Sequence, residues 1–340
     1  MNKKNLLVLQ AIVFPLLLVF IACKEKKTEE EPAPEYVFPE EYYPDYTTIN
    51  YANGRGYEFK NENPNKLIIT LNGGPDWASV IGVPGDKMDG YRFVEWVLPL
   101  RSEYTFFVPE KFNRETGTDY YQYYTLSERE KYTVDNLMAN RLEVINEYLS
   151  QNNYESIIII GYSEGAKILP ALYLQLDYKD KITALIIIAA GGLSKFENYE
   201  IVFNHAQAGE KPFDSFGLTN IMNFSTMYKS ILDAYREEPY PDSTGRIMLF
   251  GSTVTYKWMA SIINLKPFEY LAEINIPVLF RHGERDVQDA VESVRYVEDN
   301  LPDKPFDYIY DTDMGHYPTS IDELERFRTD VANWLKEKGL

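Results

Sequence analysis

The sequence predicts an α/β fold: a mostly parallel, twisted sheet with helices on both faces and a helical insertion. Three observations carry this. Short apolar runs such as Ile157–Ile160 and Ile182–Ala190 have the length and β-branched composition of strands buried on both faces. They alternate with amphipathic stretches at helical spacing, the rhythm of a parallel sheet covered by helices. One segment, residues 193–272, breaks that rhythm and is too long for a plain connection.

The elements follow in order. Thr47–Tyr51 and Tyr57–Lys60 flank Asn53-Gly54-Arg55-Gly56, a hairpin signal. Leu67–Leu71 is a buried strand ending at Asn72-Gly73-Gly74-Pro75. Tyr91–Leu100 is expected as a helix and Thr105–Val108 as a strand. Val134, Leu137, Met138, Leu142, Ile145 and Leu149 recur at helical spacing. The Ile157–Ile160 strand then leads into a helix starting at Ala166. After the Ile182–Ala190 strand comes the insertion, rich in Phe, Tyr and Met and expected to be mostly helical over the sheet's carboxyl edge. Ile276–Phe280 and Tyr308–Tyr310 are the last strands. Val291, Val294, Val297 and Leu301 mark one helix face between them; Ile321, Leu324, Phe327, Val331 and Trp334 mark the final one.

Composition bounds the function. The chain has 340 residues and a formal charge of −18, which argues against binding nucleic acid or an anionic membrane through charge. Its single cysteine, Cys23, excludes an intramolecular disulfide, a cysteine nucleophile in the globular part and a Cys-ligated metal. Lys3 and Lys4 precede an apolar run from Leu6 to Ala22, and Cys23 and a charged stretch follow, which is a secretory signal layout. Phe20-Ile21-Ala22-Cys23 resembles a bacterial lipobox, with Phe20 where leucine is usual. That resemblance implies lipidation of Cys23, a membrane-anchored lipoprotein of the cell envelope and membrane contact through the lipid. An uncleaved anchor and a cleaved signal ending near Ala22 are the alternatives. The expected organisation is a signal at 1–22, a disordered tether at 23–45, a core at 46–192, the insertion at 193–272 and the rest of the core at 273–340.

The most informative stretch is Gly161-Tyr162-Ser163-Glu164-Gly165. A serine between glycines on a sharp strand-to-helix turn is a nucleophile elbow: the turn strains the backbone, needs small neighbours and lifts the hydroxyl clear of the sheet. A serine hydroxyl needs a general base. Of three histidines, only His316 follows the last strand; His205 lies in the insertion and His282 directly follows the penultimate strand. The orienting acid is expected after the penultimate strand, at Asp286. Asp289 is the runner-up, read as lying in the next helix. Asp311 and Asp313 are read as solvated loop residues. The chain order is then Ser163, Asp286, His316. A developing oxyanion needs two N–H donors: the backbone of Glu164, and the loop Asn72-Gly73-Gly74-Pro75.

These residues resemble the α/β-hydrolase superfamily over about residues 47–338. Asn72-Gly73-Gly74-Pro75 is similar to the His-Gly-Gly-Pro-Gly loop of prolyl-iminopeptidase-like hydrolases, with Asn72 for the His and Asp76 for the final Gly. Gly161–Gly165 is similar to the Gly-x-Ser-Glu-Gly elbow of bacterial esterases, and His282-Gly283-Glu284-Arg285-Asp286 and Gly315-His316 resemble the acid and base segments. The resemblance implies that Gly74 gives the second oxyanion donor and that residues 193–272 form the cap. It also implies acyl transfer to water from a small-molecule acyl substrate, with no cofactor and no metal.

The expected function is a serine hydrolase of the envelope cleaving a carboxylic ester or related acyl bond. Phe213, Phe216, Met222, Phe224, Met227, Tyr228, Trp258 and Met259 are candidates for an apolar acyl pocket, or for the cap's own core. A serine aminopeptidase is one alternative, with Glu197, Glu200, Glu210, Asp214 and Asp233 available to hold an ammonium. A non-catalytic, surface-binding lipoprotein on the same scaffold is the other.

Overall fold

The computed structural model describes residues 46–52, 54–61, 65–73, 97, 100, 102–111, 133–209, 246–249 and 252–340. Within these, the strands of the main sheet are β1 (Thr47–Asn50), β2 (Arg55–Phe59), β3 (Lys66–Leu71), β4 (Thr105–Pro109), β5 (Ser156–Tyr162), β6 (Ile182–Ile188), β9 (Val278–Gly283) and β10 (Phe306–Asp311). Among the described residues their spatial order is β1-β2-β4-β3-β5-β6-β9-β10. β1 and β2 pair antiparallel, as does β2 with β4, and every pairing from β4 to β10 is parallel.

The central strands read as continuous apolar runs because both faces are covered. All seven residues of β5 are buried. Leu67, Ile69, Ile157, Ile159, Leu185, Ile187, Val278 and Phe280 share one core with residues of the helices α1 (Val134–Gln151) and α2 (Glu164–Gln175). Helix α1 starts at Thr133, whose side chain accepts from the Asn136 N–H, satisfying one orphan donor of the first turn.

Of residues 193–272, expected to be mostly helical, residues 210–245, 250 and 251 lie outside the described residues. Helices α3 (Lys195–Ala208), α4 (Tyr256–Ile263) and α5 (Pro267–Leu271) are accompanied by an antiparallel ribbon, β7 (Arg246–Leu249) with β8 (Ser252–Thr255). Each ribbon strand has four residues, too short for a period-two pattern to stand out in an aromatic-rich segment. Helices α6 (Val291–Asn300) and α7 (Ile321–Glu337) complete the core. Of the expected Tyr91–Leu100 helix, only Val97 and Leu100 lie within the described residues; Val97 is helical and buried.

The chain passes from β3 outward to β4, then returns to β5 on the other side of β3, so the connections diverge there. A crevice forms at such a point beyond the carboxyl ends of the strands. Register aligns those ends: Leu71 faces Gly161, Tyr162 faces Ile188, and Gly283 faces Asp311. The loops after β3, β5, β9 and β10 therefore leave from one edge of the sheet.

Candidate active site

Ser163 sits between β5 and α2 with φ 54° and ψ −117°. Its two flanking glycines are required by contact. A Cβ at Gly161 would lie 2.7 Å from Ala166 Cα, and one at Gly165 would lie 2.1 Å from the Leu71 carbonyl oxygen. The close approach of α2 to the end of β3 thus admits no side chain there. Ser163 is the N-cap residue of α2, yet its side chain makes no capping bond. Its hydroxyl is aimed instead at His316.

The three residues read from the sequence come together. Ser163 Oγ lies 2.9 Å from His316 Nε2, and His316 Nδ1 lies 2.8 Å from Asp286 Oδ2. In the tautomer that suits this chain, Ser163 donates to Nε2 and the Nδ1–H donates to the carboxylate. Asp286 Oδ1 accepts from the Gln288 N–H at 2.7 Å and the Asp289 N–H at 3.0 Å, so both carboxylate oxygens are engaged. Burial alone raises a carboxyl pKa. Here the His316 ring, by charge and hydrogen bond, outweighs it with help from His282 and the Asp289 amide, and Asp286 is held below its ordinary value. The Tyr162 and His316 rings lie 5.3 Å apart.

Two loops bring Asp286 and His316 together by backbone contact. Glu284 N–H donates to the Asp311 carbonyl at 2.9 Å and Arg285 N–H to the Met314 carbonyl at 3.0 Å. A Cβ at Gly283 would stand 2.3 Å from the carbonyl oxygens of both Met314 and Gly315. Glycine at 283 is what lets these loops touch.

Other sequence assignments change. Asp289 precedes α6 instead of lying in it, and its carboxylate pairs with Lys167 at 2.9 Å, both side chains buried. Asp311 is not a solvated loop residue: it is buried, accepts from Arg281 Nη2 at 2.9 Å and takes the Asp313 and Met314 N–H groups on Oδ1. It braces the loop that carries His316. Asp313 does lie exposed, paired with Arg285 at 2.9 Å. His282 is fully buried beside Asp286, with Nε2 2.9 Å from the Asp289 carbonyl and 3.6 Å from Asp286 Oδ2. His205 lies 3.2 Å from Glu292.

Trp258 and Met259 are both buried, and Trp258 Nε1 donates to Glu164 Oε1 at 2.8 Å. Glu197 caps α3 in a reciprocal box with Ser194 and pairs with Lys266 at 2.8 Å. Glu200 is exposed. Cys23, Gly74, Asp76, Glu210, Asp214, Asp233 and the candidates Phe213, Phe216, Met222, Phe224, Met227 and Tyr228 lie outside the described residues.

Sequence reasoning missed two buried cations at this edge. Lys111 Nζ donates to the Gly73 carbonyl at 2.7 Å, and Arg141 Nη2 donates to the Asn72 carbonyl at 3.1 Å. A lysine two residues beyond the wholly buried β4 was the available signal for the first.

Comparison with known proteins agrees with this architecture. Residues 114–211 match the family described as bacterial virulence protein (VirJ). No curated protein matches in sequence. The esterase Pf2001 of Pyrococcus furiosus superposes with a TM-score of 0.53 at 15% identity, covering 89% of this chain and 94% of that one. Est1E from Butyrivibrio proteoclasticus gives 0.51 at 14% identity, with 86% and 98% covered. The proline iminopeptidase of Mycobacterium smegmatis gives 0.55 at 14% identity, also with 86% and 98% covered. With its parallel sheet, its elbow at the divergence of the connections and these neighbours, the chain has the α/β-hydrolase fold.

Proposed function

We propose that this protein is a serine hydrolase that cleaves a carboxylic ester, or a related acyl bond, through an acyl-enzyme on Ser163. The observation that carries the reading is the unbroken chain Asp286–His316–Ser163, with contacts of 2.8 and 2.9 Å on an elbow whose hydroxyl caps nothing. Ser163 Oγ attacks the acyl carbon while His316 Nε2 takes its proton. Asp286 orients the ring and stabilises the imidazolium. The carbonyl oxygen becomes an oxyanion, received by the N–H of Glu164 and, on the resemblance of its loop, by that of Gly74. His316 then protonates the leaving alkoxide, and the C–O bond breaks. Water adds to the acyl-enzyme by the same route and releases the acid, leaving serine and imidazole as they began. No cofactor enters these steps.

Ester over amino-terminal peptide is the preferred substrate class. Glu197, one of the acids that an ammonium-binding site would use, is committed to Ser194 and Lys266. Envelope location through a lipid on Cys23 is part of the same proposal and is supported by the lipobox-like junction.

The test is labelling and turnover. Wild-type protein is expected to take a fluorophosphonate probe at Ser163 and to hydrolyse 4-nitrophenyl butyrate faster, by kcat/KM, than a proline arylamide. Ser163→Ala is expected to lose about 10⁴-fold or more in kcat with an unchanged circular dichroism spectrum. Retention of most activity by that variant would remove Ser163 as nucleophile. Preference for the arylamide would favour the aminopeptidase.

A further inference from the structure

Both sides of the site where the oxyanion would form lead to one buried ammonium. Lys111 follows β4, on the far side of β3 from the elbow. Its Nζ donates to the Gly73 carbonyl at 2.7 Å and stands 3.7 Å from Glu164 Oε2. The Lys111 side chain is 0% exposed and that of Glu164 3%. The other Glu164 oxygen accepts from Trp258 Nε1 at 2.8 Å. Arg141, also fully buried, holds the preceding carbonyl, that of Asn72. The loop so held lies directly on the nucleophile: a Cβ at Gly73 would be 2.6 Å from Ser163 Cβ.

We propose that Lys111 is a positioning residue for acyl transfer, tying the loop after β3 to Glu164 so that Gly73 is held against Ser163 and the Glu164 charge is neutralised. This rests on the serine-hydrolase reading above.

Two physical arguments support it. A peptide group is planar and trans, so its carbonyl direction dictates the opposite direction of the N–H that follows. Holding the Gly73 carbonyl therefore restrains the loop after β3 at the residue that packs on Ser163. Preorganisation of this kind is where oxyanion catalysis resides, since donors that must reorient at the moment of reaction stabilise less. The second argument concerns sign. Glu164 carries its carboxylate one residue from the nucleophile, in a buried setting where charges are weakly screened. An unpaired carboxylate there would oppose the negative charge that the reaction develops. The Lys111 ammonium offsets that charge, and the Trp258 indole N–H hydrogen-bonds its other oxygen.

A lysine that only neutralised Glu164 would behave differently from one that also holds the loop, and a pair of variants separates them. Lys111→Met takes the Lys111 cation away from the buried Glu164 carboxylate, so both stability and kcat are expected to fall. Lys111→Met combined with Glu164→Gln removes the uncompensated charge, and its melting temperature is expected to return close to that of wild type. Its kcat for 4-nitrophenyl butyrate is expected to stay about 10²-fold down, with KM changed by less than about threefold and a parallel loss of affinity for phenylboronic acid, a tetrahedral-adduct mimic. Wild-type kcat and boronate affinity in the double variant would overturn the positioning role while leaving the hydrolase reading intact. A wild-type protein that neither hydrolyses the ester nor takes a fluorophosphonate at Ser163 would overturn the hydrolase reading itself, and this proposal with it.

Discussion

Ser163 occupies a backbone conformation, φ 54° and ψ −117°, that costs a residue with a side chain about 1–3 kcal/mol. The surroundings over-determine it. The Ser163 N–H donates to the Ile188 carbonyl at 3.0 Å, its carbonyl accepts from Lys167 at 3.0 Å, and Gly161 and Gly165 leave no space for relaxation. Strain held at Ser163 is stability exchanged for a hydroxyl that caps nothing and points at His316. The exchange predicts an ordering of variants. Ser163→Ala keeps the Cβ and the strain, whereas Ser163→Gly removes both. Ser163→Gly is therefore expected to unfold at higher urea than Ser163→Ala, by about 1 kcal/mol in stability after allowing for the freer unfolded chain. Equilibrium urea unfolding of the two variants checks this. A glycine variant no more stable than the alanine variant would show that the turn stores no strain.

At the scale of elements, the β9 and β10 loops act as one unit whose polar interior sets its acid sensitivity. His282, at the end of β9, is fully buried, and burial pushes its pKa below 6.5 even though the charges of Asp286 and Asp289 and the Asp289 carbonyl act the other way. A neutral ring that donates from Nε2 to the Asp289 carbonyl leaves Nδ1 bare, and that atom has no hydrogen-bond partner among the described residues. The unfolded chain binds a proton at His282 as pH falls through about 6.5, and the folded chain resists it until lower pH. Stability contributed by neutral His282 is thus present above that pH and is lost below it, with a slope of at most about 1.4 kcal/mol per pH unit from this group. Urea unfolding between about pH 7.5 and 5.5 is expected to show this loss in wild type and a shallower one in His282→Gln. Equal slopes would assign the acid sensitivity to other groups. The same loops indicate what a sequence can disclose. Ser163, Asp286 and His316 were readable because each sits where an apolar strand stops and a short polar motif begins. Lys111, Arg141 and Asp311 were not, since their partners lie 38, 69 and 30 residues away and no local pattern marks a buried charge that bonds so far along the chain. Asp311 was misread for this reason: two residues from exposed Asp313, it looks like the same solvated turn until Arg281 is seen beside it.

Over the whole molecule, charge constrains how this chain could be held at a membrane. A formal charge of −18 and a sequence pI near 4.7 mean that an anionic lipid surface repels the chain as a body. Membrane association, if it is to be stable, then has to come from apolar insertion, and the apolar stretch from Leu6 to Ala22 followed by Cys23 is where the sequence offers it. The diacylglyceryl thioether proposed on Cys23 would bring two acyl chains, each methylene contributing about 0.8 kcal/mol of burial, whereas a single chain holds a protein only marginally. The charged, proline-bearing stretch after Cys23 suits a tether that lets an acidic domain stand away from a repelling surface. The expected result is a mature chain that begins at acylated Cys23, stays with membranes through a high-salt wash and is released by detergent. Cys23→Ser is expected to lose both the lipid mass and the processing. Intact mass and amino-terminal peptide mapping of the detergent-extracted protein decide the matter. A mature terminus at another residue would point to ordinary secretion, and an unprocessed Met1 would point to an uncleaved anchor. Release of the wild-type protein by salt alone would show that charge, against its sign, holds the chain to the membrane.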